Sequence, residues 1–378
     1  MPALKILVAP NAFKSAATAF DIAEAIKKGL QKSKCQSRIV CKPIADGGDG
    51  TLPILVDALQ GEIFKKEVSD PLGRKLMAPF GYIADKKLAI IEMADASGLR
   101  LLSGTEKNAM KASSVGTGEL MKEAIDLGAT HIILCIGGSA TTDGGMGILT
   151  ALGYKFLNSN GKELAGSGGA LKHIAQVVEP KSLTGLHITV LCDVSNPLTG
   201  PLGAAAVYGP QKGASPEQVA QLDDGLAHWA NLIRQHRGVD VTGVKGGGAA
   251  GGISAGLVGW MDAELKPGAE FILELLEMDK AIKETDVVIT AEGSLDEQTA
   301  EGKGPFVLLE MAEKHRKPVV GLAGRIPREI PDSELRRFLA LLPVGNQPES
   351  LETAMANTLI NIERTAFNLG NVLALQQL

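Results

Sequence analysis

Glycine-rich loops that follow strand-like runs constrain the fold of this chain more than any other feature. An apolar run at 131–135 ends in the glycine-rich loop 136–145, and the residues after that loop have the pattern of a short helix. Loops of the same kind lie at 46–51, 245–252 and 291–296, in a chain with 45 glycines among 378 residues. Strands that alternate with helices across such loops predict an α/β fold with a parallel sheet.

The pattern differs between the ends and the middle of the chain. Strand and helix alternate at both ends, which predicts a Rossmann-like, doubly wound parallel sheet built from residues 1–66 and 280–378. In the middle, runs at 75–83 and 87–93 flank a short turn and predict an antiparallel hairpin. We therefore predict an inserted α/β domain with a mixed sheet at 67–279. Ligands of open α/β sheets bind beyond the carboxyl ends of the strands, so we expect the active site in the cleft between the two domains.

Composition narrows the class of function. The net charge is −5, Lys and Arg are dispersed, and aromatic residues make up 4% of the chain, so we expect no nucleic-acid partner. No apolar run approaches the ~20 residues that cross a bilayer, and the start of the chain has no signal-peptide pattern. These features predict a cytoplasmic protein without membrane contacts. They leave its oligomeric state open between monomer and homodimer.

The loops predict a site for anions, because glycine lets backbone N–H groups approach a phosphate closely. The loop at 245–252 also matches the GxGxxG pattern, but no convincing strand precedes it. The match is therefore weak evidence for a dinucleotide site. A Walker P-loop is absent from the sequence. The predicted nucleotide-binding residues are Gly137, Gly138, Gly144, Gly145, Gly246, Gly247, Gly248, Glu292, Asp296 and Lys303.

Several aspartates on these loops could act in catalysis or metal binding, or could instead stabilise the local backbone. Asp46, Asp49 and Asp143 are candidate ligands of Mg²⁺, although Asp49 and Asp143 are equally well placed to cap the helices that follow them. Asp193 follows the strand-like run 187–192 and is a candidate general base, with an Asx-turn as the alternative.

Two basic side chains complete the set of candidates. Lys14 lies in the loop after the first strand, where a lysine can act as a point charge on a phosphate or carboxylate. Arg74 can hold a substrate carboxylate with its guanidinium, or it can pair with Asp70 in a turn. The predicted catalytic residues are Asp193, Lys14 and Asp46, and the predicted substrate-binding residues are Arg74, Asn11 and Ser139.

A series of segments, in one order, resembles the bacterial-type glycerate kinase family. They are APNAFKS (9–15), PIADGGDGT (43–51), DPLGR (70–74), IEMADASGL (91–99), GTGEL (116–120), IGGSATTDGG (136–145), CDVSNPL (192–198), GPQKGA (209–214), GGGAAGG (246–252) and AEGSLDEQTAEGKGP (291–305). The resemblance implies phosphorylation of D-glycerate to 2-phosphoglycerate with ATP and Mg²⁺, in a protein of two α/β domains. Three positions depart from the family: Ser15 replaces the usual glycine, and Thr142 and Ser294 replace a common asparagine and a common arginine.

Other functions stay open from the residues alone. A kinase could instead give 3-phosphoglycerate or act on a related small hydroxy acid. An NAD-dependent dehydrogenase would use the GxGxxG loop, but that reading lacks the strand–loop–helix context. A sensor of a small hydroxy acid would have no need of so many carboxylates on glycine loops.

Overall fold

The computed structural model describes residues 3–180, 183, 185–295, 303–329 and 334–377. Within these ranges no helix is both long enough and apolar enough to cross a membrane. The strands are β1 (Leu4–Val8), β2 (Ser37–Cys41), β3 (Glu62–Ser69), β4 (Lys75–Ile83), β5 (Leu88–Glu92), β6 (His131–Cys135), β7 (Lys155–Leu157), β8 (Gln176–Val178), β9 (His187–Leu191), β10 (Glu264–Lys266), β11 (Val287–Ser294), β12 (Val319–Arg325) and β13 (Ala340–Pro343).

The helices alternate with these strands over most of the chain. They are α1 (Ala19–Lys32), α2 (Thr51–Ala58), α3 (Ala94–Ser97), α4 (Val115–Asp126), α5 (Met146–Ala151), α6 (Ala204–Tyr208), α7 (Pro216–Arg237), α8 (Ala249–Met261), α9 (Gly268–Leu275), α10 (Met278–Lys283), α11 (Gly304–Lys314), α12 (Leu351–Ala356) and α13 (Thr358–Leu373). The α/β class predicted from the glycine loops is confirmed.

The chain forms two compact units. The first unit consists of Met1–Asp46 and Ala269–Leu378, and the second unit is Gly47–Gly268. The sequence places the crossings near Glu67 and Lys280 instead. The difference at the first crossing has a packing reason, since α2 packs on β4 and β5, and β3 pairs with β4 along its whole length. Both elements therefore belong with the inserted sheet.

The first unit contains a five-stranded parallel sheet in the order β13-β12-β11-β1-β2. Helices α1 and α13 pack together in a core that includes Ile22, Ile26 and Ile362. Thr18 caps α1, because its side chain accepts a hydrogen bond from the N–H of Asp21. The strand order reverses between β1 and β11, and open α/β sheets bind ligands beyond the strand ends at such a point.

The second unit contains a six-stranded mixed sheet in the order β10-β9-β6-β5-β4-β3. The predicted hairpin is present as the antiparallel pair β4 and β5, whereas β5, β6, β9 and β10 run parallel. Parallel strands end at one edge of a sheet, so the loops after Glu92, Cys135 and Leu191 leave the same edge of this sheet.

Candidate active site

A cavity of about 500 Å³ lies in the first unit at the switch point of its sheet. Residues from the carboxyl ends of four strands line it, with Lys14 after β1, Glu292 on β11, Arg325 on β12 and Val344 after β13. Lys303, which directly precedes α11, also lines it. Three predicted residues, Lys14, Glu292 and Lys303, therefore line one cavity. Asp296, also predicted to bind nucleotide, lies outside the described residues.

Asn11 connects the loop after β1 to the predicted metal ligand Asp46. The Asn11 amide nitrogen donates to an Asp46 carboxylate oxygen at 3.4 Å, and its amide oxygen accepts from the N–H of Ala12 at 2.8 Å. The backbone N–H of Asn11 donates to the carbonyl of Ala291 on β11. The side chain of Asn11, which is buried, thus orders this loop and orients Asp46; a contact with substrate stays a prediction.

A tight turn presents Lys14 at the cavity. Phe13 and Ala17 exchange two backbone hydrogen bonds of 3.0 Å, so the three residues between them form the tip of the turn. Ser15 at this tip has a φ of 63°, in the left-handed region that disfavours residues with a Cβ atom. The glycine that the family resemblance implies at this position would adopt this φ without strain, whereas serine there is strained.

Replacing Ser15 with glycine should raise the free energy of unfolding by about 1 kcal/mol. Glycine adopts a positive φ without the steric cost that a Cβ atom brings, and this gain exceeds its greater entropy loss. Urea denaturation of the two proteins measures the difference. Ser15→Ala keeps the Cβ atom and should show no gain. A Ser15→Gly variant less stable than the wild type would contradict the assigned strain.

In the second unit, two of the predicted glycine loops lie against each other. A Cβ atom on Gly137 would lie 3.3 Å from the Cα atom of Gly48, and one on Gly138 would lie 3.9 Å from a carboxylate oxygen of Asp49. Gly137 and Gly138 are exposed. Glycine at these positions therefore allows close approach of the loops while it keeps the backbone accessible.

Glu92, on β5, caps the helix that Asp49 was one candidate to cap. Glu92 accepts hydrogen bonds from the N–H groups of Gly50 at 3.2 Å and Leu52 at 2.6 Å, at the start of α2. Asp49 makes no side-chain cap there, and its side chain instead faces Arg100 at 3.5 Å. Arg100 also pairs with Asp95. The cap interpretation of Asp49 is wrong because a residue distant in the sequence takes that place.

Burial raises the pKa of Glu92 to about 7, with smaller contributions in the same direction from Asp95 and Asp49. Between the ordinary pKa of 4.5 and about 7, the folded chain holds a proton that the unfolded chain has released. Stability should therefore fall as the pH rises through this window, by about 3 kcal/mol for this group.

The Glu92→Gln variant should lose most of that pH dependence, because glutamine does not titrate. Denaturation midpoints measured from pH 4.5 to pH 8 give the comparison, with the exposed Glu62→Gln as the matched control. Equal slopes in the wild type and the Glu92→Gln variant would show that Glu92 has an ordinary pKa.

Asp143 is fully buried and caps two helices at once. Its carboxylate accepts from the N–H and the hydroxyl of Ser114, at the start of α4, at 2.8 and 2.7 Å. It also accepts from the N–H groups of Gly145 and Gly147, at the start of α5, at 3.2 Å each. Burial raises its pKa. These contacts favour the capping interpretation of Asp143 over the metal-ligand interpretation, since its oxygens face donors of the protein.

Several of the glycines predicted to bind phosphate use their backbone N–H groups within the protein. The N–H of Gly144 donates to Gly251, that of Gly247 to Val244, and that of Gly248 to Asn196. The N–H of Gly145 faces Asp143, as described above. Packing explains the glycines instead: a Cβ atom would lie 2.8 Å from the Trp229 ring at Gly144, 2.8 Å from the Val194 carbonyl at Gly246, 3.0 Å from the Val244 carbonyl at Gly247, and 2.2 Å from the Pro197 carbonyl at Gly248.

Arg74 pairs with Asp70 in a turn, which is the second of its two predicted roles. Its guanidinium forms ion pairs with Asp70 and with Glu106, at 2.5 and 2.6 Å. The Asp70 carboxylate also accepts from the backbone N–H groups of Leu72 and Arg74, which closes the turn. Because both carboxylates occupy the guanidinium, the predicted contact between Arg74 and a substrate carboxylate has no support in this geometry.

Asp193 lies just past the carboxyl end of β9, as expected for a general base. Its side chain is exposed, and one carboxylate oxygen accepts from the backbone N–H of Gly268 at 2.6 Å. This hydrogen bond fixes the orientation of the carboxylate and leaves it accessible.

The local structure also bears on a dinucleotide site at the GxGxxG segment and on a preformed cluster of metal ligands. The GxGxxG segment at 246–251 runs into the start of α8, but α6 and α7 separate it from β9, the preceding strand in the chain. A dinucleotide fingerprint needs a strand directly before the loop, so this match does not form one. Among the described residues, no three His, Cys, Asp or Glu side chains come together to hold a metal ion.

The sequence patterns missed Lys212, which lies beneath the loop 137–141. Its ammonium donates to the Ser139 hydroxyl at 2.9 Å and to the Thr141 carbonyl at 2.6 Å. Burial lowers its pKa to about 7, against an opposing effect of Asp143. The only available signal was its place in the segment 209–214, because spacing alone does not show that a lysine is buried.

Comparison with known proteins identifies the family. The glycerate kinase family profile matches residues 6–374. The chain is 43% identical over 325 residues to a glycerate kinase of Halalkalibacterium halodurans, with 85% of each covered. It is 39% identical over 376 residues to the glycerate 2-kinase of Escherichia coli K12, with 98% of each covered. A crystal structure assigned as glycerate kinase 2 of Salmonella typhimurium LT2 matches with a TM-score of 0.87 and 39% identity, over 100% of both chains. This chain therefore belongs to the glycerate kinase family.

Proposed function

We propose that this enzyme transfers the terminal phosphoryl group of ATP to the 2-hydroxyl of D-glycerate, with Mg²⁺. The observation that carries the proposal is the cavity in the first unit, where Lys14, Lys303 and Arg325 surround a space at the switch point of a parallel sheet. Such cations can neutralise the negative charge of a polyphosphate. The name of the Escherichia coli relative, glycerate 2-kinase, supports the 2-position.

The same cavity suits the rest of a nucleotide. Phe13, Leu351 and Met355 line it with apolar surface that can receive a base, and about 500 Å³ is within the range of small-molecule sites. The exposed Lys14 would neutralise charge on the transferring phosphoryl group, since phosphoryl transfer depends mainly on positioning and charge stabilisation. Lys303 and Arg325 would hold the remaining phosphates.

The second unit supplies groups for the acceptor. Asp193 would take the proton of the 2-hydroxyl, because its carboxylate is accessible and held by the N–H of Gly268. The exposed backbone of Gly137 and Gly138 would bind an anion, and Ser139 would contact the same ligand through its hydroxyl.

Mg²⁺ usually binds a phosphoryl donor together with one or two carboxylates of the protein, and phosphate and water oxygens are its other ligands. Asp46 and Asp49 are the candidate ligands, since neither is fully buried. Asp143 is not included, because its oxygens face backbone and hydroxyl donors. When bound, the ion would neutralise charge on the phosphates of the nucleotide.

A coupled assay of ADP release tests this proposal. With ATP and Mg²⁺ present, ADP release should depend on D-glycerate and should stop when EDTA removes the divalent cation. Reactions without acceptor and with L-glycerate are the controls. Equal ADP release with and without D-glycerate, or none in either case, would contradict the proposal.

A further inference from the structure

The side chain of Lys212 is one of the most deeply buried charged groups in the second unit, with an exposed fraction of 2%. Its two hydrogen bonds, to the Ser139 hydroxyl and the Thr141 carbonyl, both go to the loop that follows β6. An ammonium has three N–H donors, and the third has no partner among the described residues. The buried lysine therefore binds this loop with two hydrogen bonds. Its protonated form has a third N–H donor, which has no partner in the described part of the protein.

No carboxylate in the described part of the chain forms an ion pair with Lys212. Asp143 is the charged group that favours its protonated form, but the Asp143 carboxylate faces Ser114, Gly145 and Gly147. A buried charge without a paired counterion is costly and is seldom retained for stability alone. Lys212 thus has no counterion in the described part of the chain, and an anion bound close to it would favour its charged form.

The loop above Lys212 offers a place for that anion. On one side the loop is fixed by two backbone hydrogen bonds, from the N–H of Leu99 to the Gly138 carbonyl and from the N–H of Ala140 to the Ser97 carbonyl. The N–H groups of Gly137 and Gly138 donate to no group that the structure describes. Successive free N–H groups in a glycine turn form a concavity that binds anions.

We propose that Lys212 is a positioning residue that holds Ser139 and the backbone of Gly137 and Gly138 as an anion site. The ligand is a carboxylate or a phosphoryl group, which bind such N–H groups with the same chemistry. Lys212 does not touch the ligand; it fixes the Ser139 hydroxyl and places a positive charge behind the loop. The assignment to a substrate of this enzyme rests on the proposed function.

Kinetics of Lys212→Met and Lys212→Arg test the role. Methionine has a similar length without charge or N–H donors, so the Ser139 hydroxyl and the loop lose the hydrogen bonds that position them. One KM should rise by about 10- to 100-fold with a smaller change in kcat, the range expected when hydrogen bonds from a charged donor are lost. A raised KM for ATP identifies a phosphoryl group as the ligand, and a raised KM for D-glycerate identifies the carboxylate. Arginine keeps the charge and should restore most of the affinity. The exposed Lys172→Met is the matched control.

Thermal protection by inorganic phosphate tests the site without any reaction. Phosphate should raise the melting temperature of the wild type and of Lys172→Met more than that of Lys212→Met. Because removal of an unpaired buried charge need not destabilise the fold, circular dichroism should show Lys212→Met to be folded. If Lys212→Arg does not fold, Ser139→Ala replaces it and should raise the same KM.

The two proposals fail separately. If the wild type releases no ADP with D-glycerate but phosphate protection still depends on Lys212, the proposed function is wrong and the anion site stands. If the wild type is active while Lys212→Met keeps both KM values and the full protection by phosphate, the role of Lys212 is wrong and the proposed function stands.

Discussion

Replacing Asp193 with asparagine should lower kcat for D-glycerate phosphorylation by about 10²- to 10⁴-fold, the usual contribution of a general base. The amide oxygen of asparagine can still accept the hydrogen bond from the N–H of Gly268, so the side chain should keep its position. Only its ability to take a proton is lost. The KM for both substrates should change much less than kcat, which steady-state kinetics measures directly.

The exposed Asp240 provides a matched control for this experiment. It also accepts a hydrogen bond from a backbone N–H, that of Thr242 at 3.0 Å, but it lies outside the proposed site. Asp240→Asn should retain normal kcat and normal stability. A folded Asp193→Asn variant with near-normal kcat would show that Asp193 is not the base.

Asp143→Ala should have the largest effect on stability, with a loss of about 3–5 kcal/mol in the free energy of unfolding. The substitution leaves the buried N–H groups of Ser114, Gly145 and Gly147 without their acceptor, and it removes the carboxylate that favours the charged form of Lys212. Chemical denaturation measures the loss.

Asp49→Ala is the matched control for the alternative role of Asp143 as a metal ligand. Asp49 is exposed and forms an ion pair with Arg100 at 3.5 Å, so its removal should change stability by less than about 1 kcal/mol. If Asp143→Ala proved as stable as Asp49→Ala but needed more Mg²⁺ for activity, Asp143 would be a metal ligand rather than a structural cap.

Local patterns in the sequence predicted the architecture well where neighbouring residues determine it. The alternation of apolar runs and glycine loops is enough to predict the parallel sheet. The hairpin of β4 and β5 was equally visible, since its two strands are adjacent in the chain. Each of these features depends on residues a few positions apart.

The roles of individual loop residues were harder to predict, because partners distant in sequence decide them. Asp49 and Asp143 look alike in the sequence, yet Glu92 caps the helix after Asp49, while Asp143 caps the helix that follows it. The glycines at 144 and 246–248 look like phosphate-binding residues, but their neighbours in space include Trp229 and Pro197. Only the tertiary structure distinguishes a glycine needed for packing from one needed for a ligand.

Proton-coupled phosphorus NMR of the reaction product tests the central claim most directly. D-Glycerate, ATP and Mg²⁺ are incubated with the enzyme, and the new resonance is recorded without proton decoupling. Phosphate on the 2-hydroxyl couples to one methine proton and should give a doublet. A triplet, from coupling to the two methylene protons of 3-phosphoglycerate, would contradict the 2-position, and the absence of any new phosphate ester would contradict the kinase activity itself.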